Sequence, residues 1–515
     1  MLFWILLAIA VLNVFYLTFE HTGEILSLTL ASVFSRDAKI LFVSDAILIM
    51  SLFICVPYIK LIRYLEWPSR WLAPLQYIWE ILLLSVVVVW TRHRNWPWVQ
   101  SGFFVMHTLA MLMKIHSYAT TNSFLADAHR HMKRTEKLLD EQLAKLGKGD
   151  IESIWDREVL AAIKPKQQAA FLAPDDTTDT TEALLKWGAH NVQKGTTPLR
   201  AKLREACEPS MPERILSPLP DHARISREIQ AKHSSHFSKQ KGDTELRDPH
   251  PLMWHPDENI RNLALEIART REILLPLPLE GHGVGRMWPH NVTYANFWDF
   301  LLVPSLVYQL RYPRTNSISP LYIFERLLAL AGTFFVVYVL VMSVIIPIVH
   351  SDRPIFAQFL HLMLPMVLCY LLLFYLVFEC VCNGFAEITQ FADREFYEDW
   401  WNSTSLDEFS RKWNKPVHHF LLQHVYVDSI YSYGMSKKMA IFITFFFSSV
   451  LHELVMIIVT GKWRGYLFML QMSQIPLVML ARLPIMRRNP TFANFFFWFG
   501  LLVGPPMLNI GYLVF

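Results

Sequence analysis

The sequence predicts an all-α polytopic membrane protein with eight or nine transmembrane helices and a long soluble insertion. Three observations lead there. Of 515 residues, 53% are hydrophobic and 14% aromatic, while only 18% are charged, against about 25% in a soluble chain. The apolar residues gather in runs long enough to span the hydrocarbon core, which takes about 20 residues. The remaining charge is concentrated in one internal stretch and one Trp-rich segment. This composition excludes a disordered, collagenous or disulfide-rich secreted chain. The formal net charge of +4 is small for this length and lacks the basic footprint of a nucleic-acid binder.

Taken in order, residues 1–19 form the first apolar run. It has neither the basic n-region nor the small-residue cleavage site of a signal peptide, so it reads as a membrane helix starting almost at the first residue. Further runs lie at 39–63, 71–91 and 97–116, which completes an N-terminal group of membrane helices over 1–118. Residues 119–290 are rich in Lys, Arg, Asp, Glu, Pro and His and contain no run that crosses a bilayer. Within them, Met132, Leu138, Leu139, Leu143 and Leu146 recur among charges and predict an amphipathic helix over 127–148. The stretches 174–181 and 208–248 are polar and turn-rich, which predicts flexible chain. Asp257 is placed to cap a second helix running to Leu275, with Pro276 and Pro278 ending it. The C-terminal unit, 291–515, carries runs at 321–349, 355–390, 438–460, 465–482 and 491–515, with an amphipathic, Trp-rich interfacial segment at 393–437.

The five cysteines (Cys55, Cys207, Cys369, Cys380 and Cys382) are scattered, mostly in apolar runs, and read as small buried hydrophobes. Neither a CxxC pair nor a His/Cys cluster points to a metal or redox centre.

An ionisable side chain inside a membrane run is costly, which makes it a functional hypothesis by default. His452 falls in the middle of one, followed at once by Glu453. A buried imidazole is held neutral and is suited to take a proton from a hydroxyl; the alternative is a histidine bonded across helices for packing. A second constellation is Phe396-Tyr-Glu-Asp-Trp-Trp-Asn402, continuing through Ser403-Thr-Ser405 to Trp413-Asn414 and His418. Alone, it would serve equally as an aromatic belt with solvated charges.

Together, the Phe-Tyr-x-Asp-Trp-Trp-Asn signature, the later Trp-Asn and a His-Glu inside an apolar helix resemble the membrane-bound O-acyltransferase family, and within it the sterol O-acyltransferase branch, especially its fungal sterol-esterifying members. The resemblance runs from about Asn291 to Phe515. It includes Asn291-Val-Thr-Tyr-Ala-Asn-Phe297, Val303-Pro-Ser-Leu-Val-Tyr-Gln309, Tyr312-Pro-Arg-Thr315 and Gln471-Met-Ser-Gln-Ile-Pro476, and Lys114-Ile-His-Ser-Tyr118 is a shorter echo. The diacylglycerol-esterifying branch shares the scaffold, but typically carries Glu where this chain has Asp399 and His-Glu-Tyr where it has His452-Glu453-Leu454; the sterol branch often has Tyr at that last position too, so Leu454 departs from many members of both.

The resemblance implies transfer of a long-chain acyl group from acyl-CoA to the 3β-hydroxyl of a sterol, giving a steryl ester. His452 is then the general base, and Asn414 stabilises the negative charge that develops on the thioester carbonyl. It places the acyl-CoA contacts at Arg411, Asn414, His418, Tyr426, Lys437 and Ser448, with no metal and no tightly bound cofactor, acyl-CoA being a co-substrate. Asp399, Trp400 and Asn402 would support the thioester region structurally. It further implies a tunnel where the substrates meet, assembly as a homodimer or homotetramer, and a multi-pass place in the endoplasmic reticulum membrane. The sequons Asn291-Val-Thr293 and Asn402-Ser-Thr404 then fall on the cytosolic side, where glycosylation does not occur. Two alternatives stay open: the same chemistry on diacylglycerol, and a non-enzymatic sterol-binding membrane protein. Against the second, the chain shows none of the internal repeats common in transporters.

Overall fold

In a computed structural model the described residues are 35–146, 250–255, 257–275, 287–481 and 483–513, together with isolated positions before residue 35. The run at 1–19, apart from single positions, and the stretches at 174–181 and 208–248 lie outside them, as does Cys207. The described chain is helical, and the only β feature among these residues is a single bridge between Arg314 and Phe391.

The N-terminal helices are α1 (Ala38–Leu52), α2 (Cys55–Leu65), α3 (Ser69–Arg94) and α4 (Trp98–Leu146). At 49 residues, α4 is about 73 Å long, far more than the ~30 Å hydrocarbon core. Its first part packs against α1, α2 and α3. The amphipathic segment expected at 127–148 is its C-terminal continuation, not a separate helix. There Met132, Leu139 and Leu143 are buried, and α5 (Glu258–Leu274) packs on this part of α4 with Ile260, Ala264 and Ile267 buried. Asp257 caps α5 as its sequence predicts, its Oδ1 accepting from the Asn259 N–H at 2.8 Å. His131 meets Glu266 across the pair at 3.2 Å.

The C-terminal elements are α6 (Tyr294–Leu302), α7 (Pro320–Val349), α8 (Ile355–Ile388), α9 (Leu406–Trp413), α10 (Lys415–Phe420), α11 (Lys437–Thr460), α12 (Tyr466–Met472), α13 (Gln474–Ala481), α14 (Pro484–Arg488) and α15 (Pro490–Leu513). Three stretches widen into π-helix: Leu340–Ile345 in α7, Leu376–Cys382 in α8, and Leu421–Val427 directly after α10.

Six described helices are long and apolar enough to cross a membrane: Ala38–Leu65, Ser69–Arg94, Pro320–Val349, Ile355–Ile388, Lys437–Thr460 and Pro490–Tyr512. Two other expected runs differ for identifiable reasons. The 97–116 run belongs to α4, where it buries Gln100, Ser101, Thr108 and Lys114 among neighbouring helices. The 465–482 run is divided at Ser473 into α12 and α13. Cys55 and Cys380 are buried, and all four described cysteines are free.

The main core lies where α4 meets α6 and the loop that follows. Tyr118, Phe297, Phe300 and Tyr308 are at most 2% exposed, and Tyr118 meets Phe297 and Tyr308 edge-on, 4.8 Å from each. Two polar fasteners complete it. Lys114 donates to the carbonyls of Phe300, Val303 and Ser305 at 2.9, 2.6 and 2.9 Å, which uses all three donors of an ammonium group. Asn291 donates to Asn122 Oδ1 and to the Tyr308 hydroxyl, both at 2.9 Å. At 1% exposure, Asn291 is closed to glycosylation in the folded chain for a physical reason, whichever side of a membrane it faces.

Candidate active site

The signature begins in extended chain and is fastened to several neighbouring elements. The Tyr397 hydroxyl donates to Glu379 Oε1 on the π-helical part of α8 at 2.7 Å, and Arg326 of α7 reaches the same carboxylate at 3.6 Å. Trp400, 2% exposed, sits within ring contact of Trp413 at 4.7 Å, Phe374 at 5.4 Å and Phe409 and Trp498 at 5.9 Å. The Trp401 carbonyl accepts from Asn494 at 2.9 Å and from the Trp498 indole at 3.1 Å, both on α15. Lys412 bonds Asp399 and Glu408, each at 2.8 Å. The Lys412 bond holds the Asp399 carboxyl below the usual carboxylate range. For Glu408, burial pushes upward, and the bonds from Lys412 and Thr404 outweigh it.

From this base the chain enters α9 through a Ser405 cap, with Glu408 Oε2 reaching back to the Thr404 N–H at 2.8 Å. Ser405 Oγ accepts from the Glu408 N–H at 3.2 Å, the Ser-x-x-Glu spacing of a helix start. One residue separates α9 from α10, and that residue is Asn414. Its Oδ1 accepts from the Val417 N–H at 3.2 Å, which caps α10 and orients the amide. Its Nδ2 bonds no other described residue, so the cap leaves the amide's donors unused. Next to it, Lys415 is buried and bonds Glu395 at 2.8 Å and Glu398 at 3.1 Å.

Arg411 is exposed in the last turn of α9 and pairs with Asp407 at 2.6 Å. His418 lies half-buried on α10, and burial, with His419 and Arg411 nearby, pushes its imidazole down to about 4. Tyr426 is half-buried in the π-helical turn. That turn packs against α11, and it is the element linking the Asn414 segment to the His452 helix.

On α11, Lys437 is the first residue, exposed, behind the N-cap Ser436. Ser448 and His452 lie one turn apart on one face, with Lys437 about 22 Å along the axis from His452. His452 Nδ1 is 2.8 Å from the Ser448 carbonyl oxygen. Since a carbonyl only accepts, the neutral imidazole carries its proton on Nδ1 and its lone pair on Nε2. The sequence places His452 mid-run, as found, but the expected burial belongs to its neighbour: His452 is exposed, whereas Glu453 is 5% exposed.

Several polar groups within apolar helices are not apparent from the sequence alone. Glu379 is one. Another set joins α3, α4 and the π-helical turn: Glu80 lies 3.1 Å from His116 Nδ1, and His424 Nε2 lies 2.7 Å from Ser117 Oγ. The signal available was a lone acid in the 71–91 run and the Lys114-Ile-His-Ser-Tyr118 motif.

An imidazole on one helix and an amide on a neighbouring segment are side-chain types that acyl transfer can use. Comparison with known proteins agrees. Residues 283–514 match the MBOAT, membrane-bound O-acyltransferase family. The chain is 28% identical to sterol O-acyltransferase 2 of Candida albicans, over 100% of this chain and 74% of that protein. It is 43% identical to probable sterol O-acyltransferase 2 of Schizosaccharomyces pombe, over 45% of this chain and 52% of that one. It is also 37% identical to diacylglycerol O-acyltransferase 1 of Dictyostelium discoideum, over 44% and 38% respectively. Residues 283–514 carry a membrane-bound O-acyltransferase domain, and the chain is an enzyme of the transferase class and a multi-pass membrane protein.

Proposed function

We propose that the chain is an acyl-CoA:sterol O-acyltransferase, with His452 as general base and Asn414 as the donor to the thioester carbonyl. The observation that carries the residue roles is the pair of fixed orientations. The Ser448 carbonyl holds the neutral His452 in the tautomer that leaves Nε2 unprotonated, and the Val417 N–H holds Asn414 by its oxygen, leaving its N–H donors without a partner among the described residues. The sterol as acceptor rests on the fungal relatives.

The reaction follows from these orientations. Nε2 takes the proton of the 3β-hydroxyl as its oxygen attacks the thioester carbon. The carbonyl oxygen gains negative charge and accepts from the Asn414 amide, a contact of a kind worth about 3 kcal/mol. The tetrahedral centre collapses with loss of the C–S bond. The imidazolium returns its proton to the departing thiolate, which leaves as free coenzyme A. A thioester already has a good leaving group, so no Ser or Cys acyl-enzyme is needed. Lys437 and Lys438 stand at the start of α11, where the helix macrodipole disfavours cations; an anion bound there would offset that cost, which suits the phosphates of acyl-CoA together with Arg411. His418, Tyr426 and Ser448 line the path between. Asp399 and Asn402 support the signature. The unit 291–515 carries the chemistry, with 393–437 at the bilayer interface and 119–290 as an insertion between the halves. The same family reading assigns the protein to the endoplasmic reticulum membrane as a homodimer or homotetramer.

Diacylglycerol is the competing acceptor, favoured by the Dictyostelium relative. Membranes containing the protein, given oleoyl-CoA with both acceptors present, are expected to yield steryl ester in excess over triacylglycerol. The reverse ratio overturns the sterol reading. His452→Ala is expected to abolish product at normal protein levels, and retained turnover removes the base assignment.

A further inference from the structure

The exposed His452 is followed by a carboxylate that the reaction above leaves unused. Glu453 is 5% exposed, and each of its hydrogen-bond partners among the described residues is a donor. Oε1 accepts from the Gly465 N–H at 2.7 Å, Oε2 from the Phe468 N–H at 3.0 Å, and the Tyr512 hydroxyl lies 2.9 and 2.8 Å from the two oxygens. These donors come from two different elements, the start of α12 and the end of α15. The joint is closed on its other sides as well. The Leu467 N–H donates to the Tyr512 oxygen at 3.3 Å, the Tyr466 and Tyr512 rings meet at 5.5 Å, and Arg464 donates to the Gly511 carbonyl at 2.8 Å. Gly465 has φ +74°, and nothing lies within 4 Å of where a Cβ would stand. Glycine there serves the backbone turn that brings its N–H to the carboxylate.

Apolar packing sets the inward face of α11 broadly, with Leu454 and Val455 packed against the main core beside buried Ile458. Its buried residues are Ala440, Ser449, Glu453 and Ile458, while Met439, Ile441, Phe442, Phe446, Phe447 and Val450 are exposed. Such non-directional contacts change little over a small rotation, whereas directed hydrogen bonds are sensitive to it. Successive residues of an α-helix point about 100° apart, so anchoring Glu453 sets the direction of His452. A rotation of about 10° moves a side chain at the helix rim by about 1 Å, and a displacement of that size can reduce a rate by about 100-fold.

We infer that Glu453 is the positioning residue for His452, its carboxylate locking the rotation of α11 against α12 and α15 through Gly465, Phe468 and Tyr512; this rests on the reading of His452 as the base. Glu453→Gln keeps the size of the side chain but replaces one acceptor oxygen with an amide donor facing groups that also donate.

The test uses the full chain purified in detergent, with oleoyl-CoA and sterol, and rates normalised to folded, monodisperse protein. Glu453→Gln is expected to lower kcat 10- to 100-fold while both KM values stay within about 2-fold. Tyr512→Phe is expected to lower kcat about 3-fold, and the double variant to lose no more than Glu453→Gln alone. A purely structural carboxylate predicts less folded protein with unchanged kcat per folded molecule, and that result overturns the inference. If Glu453→Gln yields no folded protein, Tyr512→Phe decides alone: a reduced kcat supports the inference and an unchanged one overturns it. His452→Ala, assayed in parallel, separates the two claims. Full activity in that variant removes the base reading, while an inactive His452→Ala beside a Glu453→Gln of normal kcat removes only the positioning role.

Discussion

The two regions that supply the proposed base and the proposed donor are built in opposite ways. The base stands on α11, a regular 24-residue helix with a largely apolar exterior, held by one buried carboxylate and by Leu454, Val455 and Ile458 against the core. The donor stands on an irregular segment, 396–427, in which short helices and a π-helical turn follow each other. That segment is located by stacked rings and ion pairs: Trp400 among the rings of Phe374, Trp401, Phe409, Trp413 and Trp498, Lys412 between two acids, and Lys415 between two more. A helix needs little to hold its shape because its backbone hydrogen bonds are internal. An irregular segment must satisfy its backbone and side chains externally. The fine positioning of α11 is therefore concentrated in a few bonds, whereas that of the signature is spread over many.

The largest expected effect is the removal of the centre of the ring cluster. Trp400→Ala should destabilise the protein by about 3–5 kcal/mol, the range for deleting a buried aromatic side chain. The thermal unfolding midpoint in detergent measures it. Trp400→Phe should cost less than half as much. The indole nitrogen of Trp400 is buried with no hydrogen-bond partner among the described residues, so phenylalanine gives up shape without giving up a bond. Equal losses for the two variants would mean that the indole shape, and not ring burial in general, holds the signature.

The next effect separates structure from chemistry at one residue. Asn414 caps α10 with its oxygen and is proposed to donate with its nitrogen. Asn414→Asp keeps the capping acceptor and removes the N–H donors, so kcat should fall about 100-fold, as for loss of an oxyanion donor, with the unfolding midpoint near that of the parent. Asn414→Ala removes both and should add the loss of a cap, about 1 kcal/mol. If Asn414→Asp keeps its activity, the donor role is lost while the cap stands.

Legibility follows the same division. The membrane character, the mid-helix position of His452 and the cap at Asp257 are readable, because apolar runs, a lone polar residue and a Ser/Thr/Asp start signal are local patterns. Relations between distant segments are not. Lys114 reads as a short echo of a motif until three carbonyls from residues 300–305 are found around its ammonium group. Glu379 looks like an isolated acid until Tyr397 and Arg326 reach it. Hydropathy assigns burial to His452 when it belongs to Glu453, because nothing in a run of apolar neighbours tells which of two adjacent polar residues a helix turns inward.

The smallest effect is the pH response of the irregular segment, and its sign follows from His418. Burial, reinforced by His419 and Arg411 and opposed by Asp407 and Glu398, holds the folded imidazole down to about 4, against about 6.5 for a free one. Below about pH 6.5 the unfolded chain takes up a proton that the folded chain refuses until about pH 4. The contribution to stability is therefore complete above that upper limit and is withdrawn as pH falls through the window, by at most about 1.4 kcal/mol per unit and less where solvent reaches the ring. The Asp399 and Glu408 ion pairs to Lys412 do not share the window, since both carboxyls are held below their ordinary values and stay ionised until lower pH. His250, buried and pushed down to about 3, adds a background slope of the same sign. Comparing unfolding midpoints of the parent and His418→Gln between about pH 7 and about pH 4.5 removes that background. The variant should show the shallower decline, and parallel curves would mean that His418 takes up its proton in the folded protein as readily as in water, with the signature open to solvent at that point.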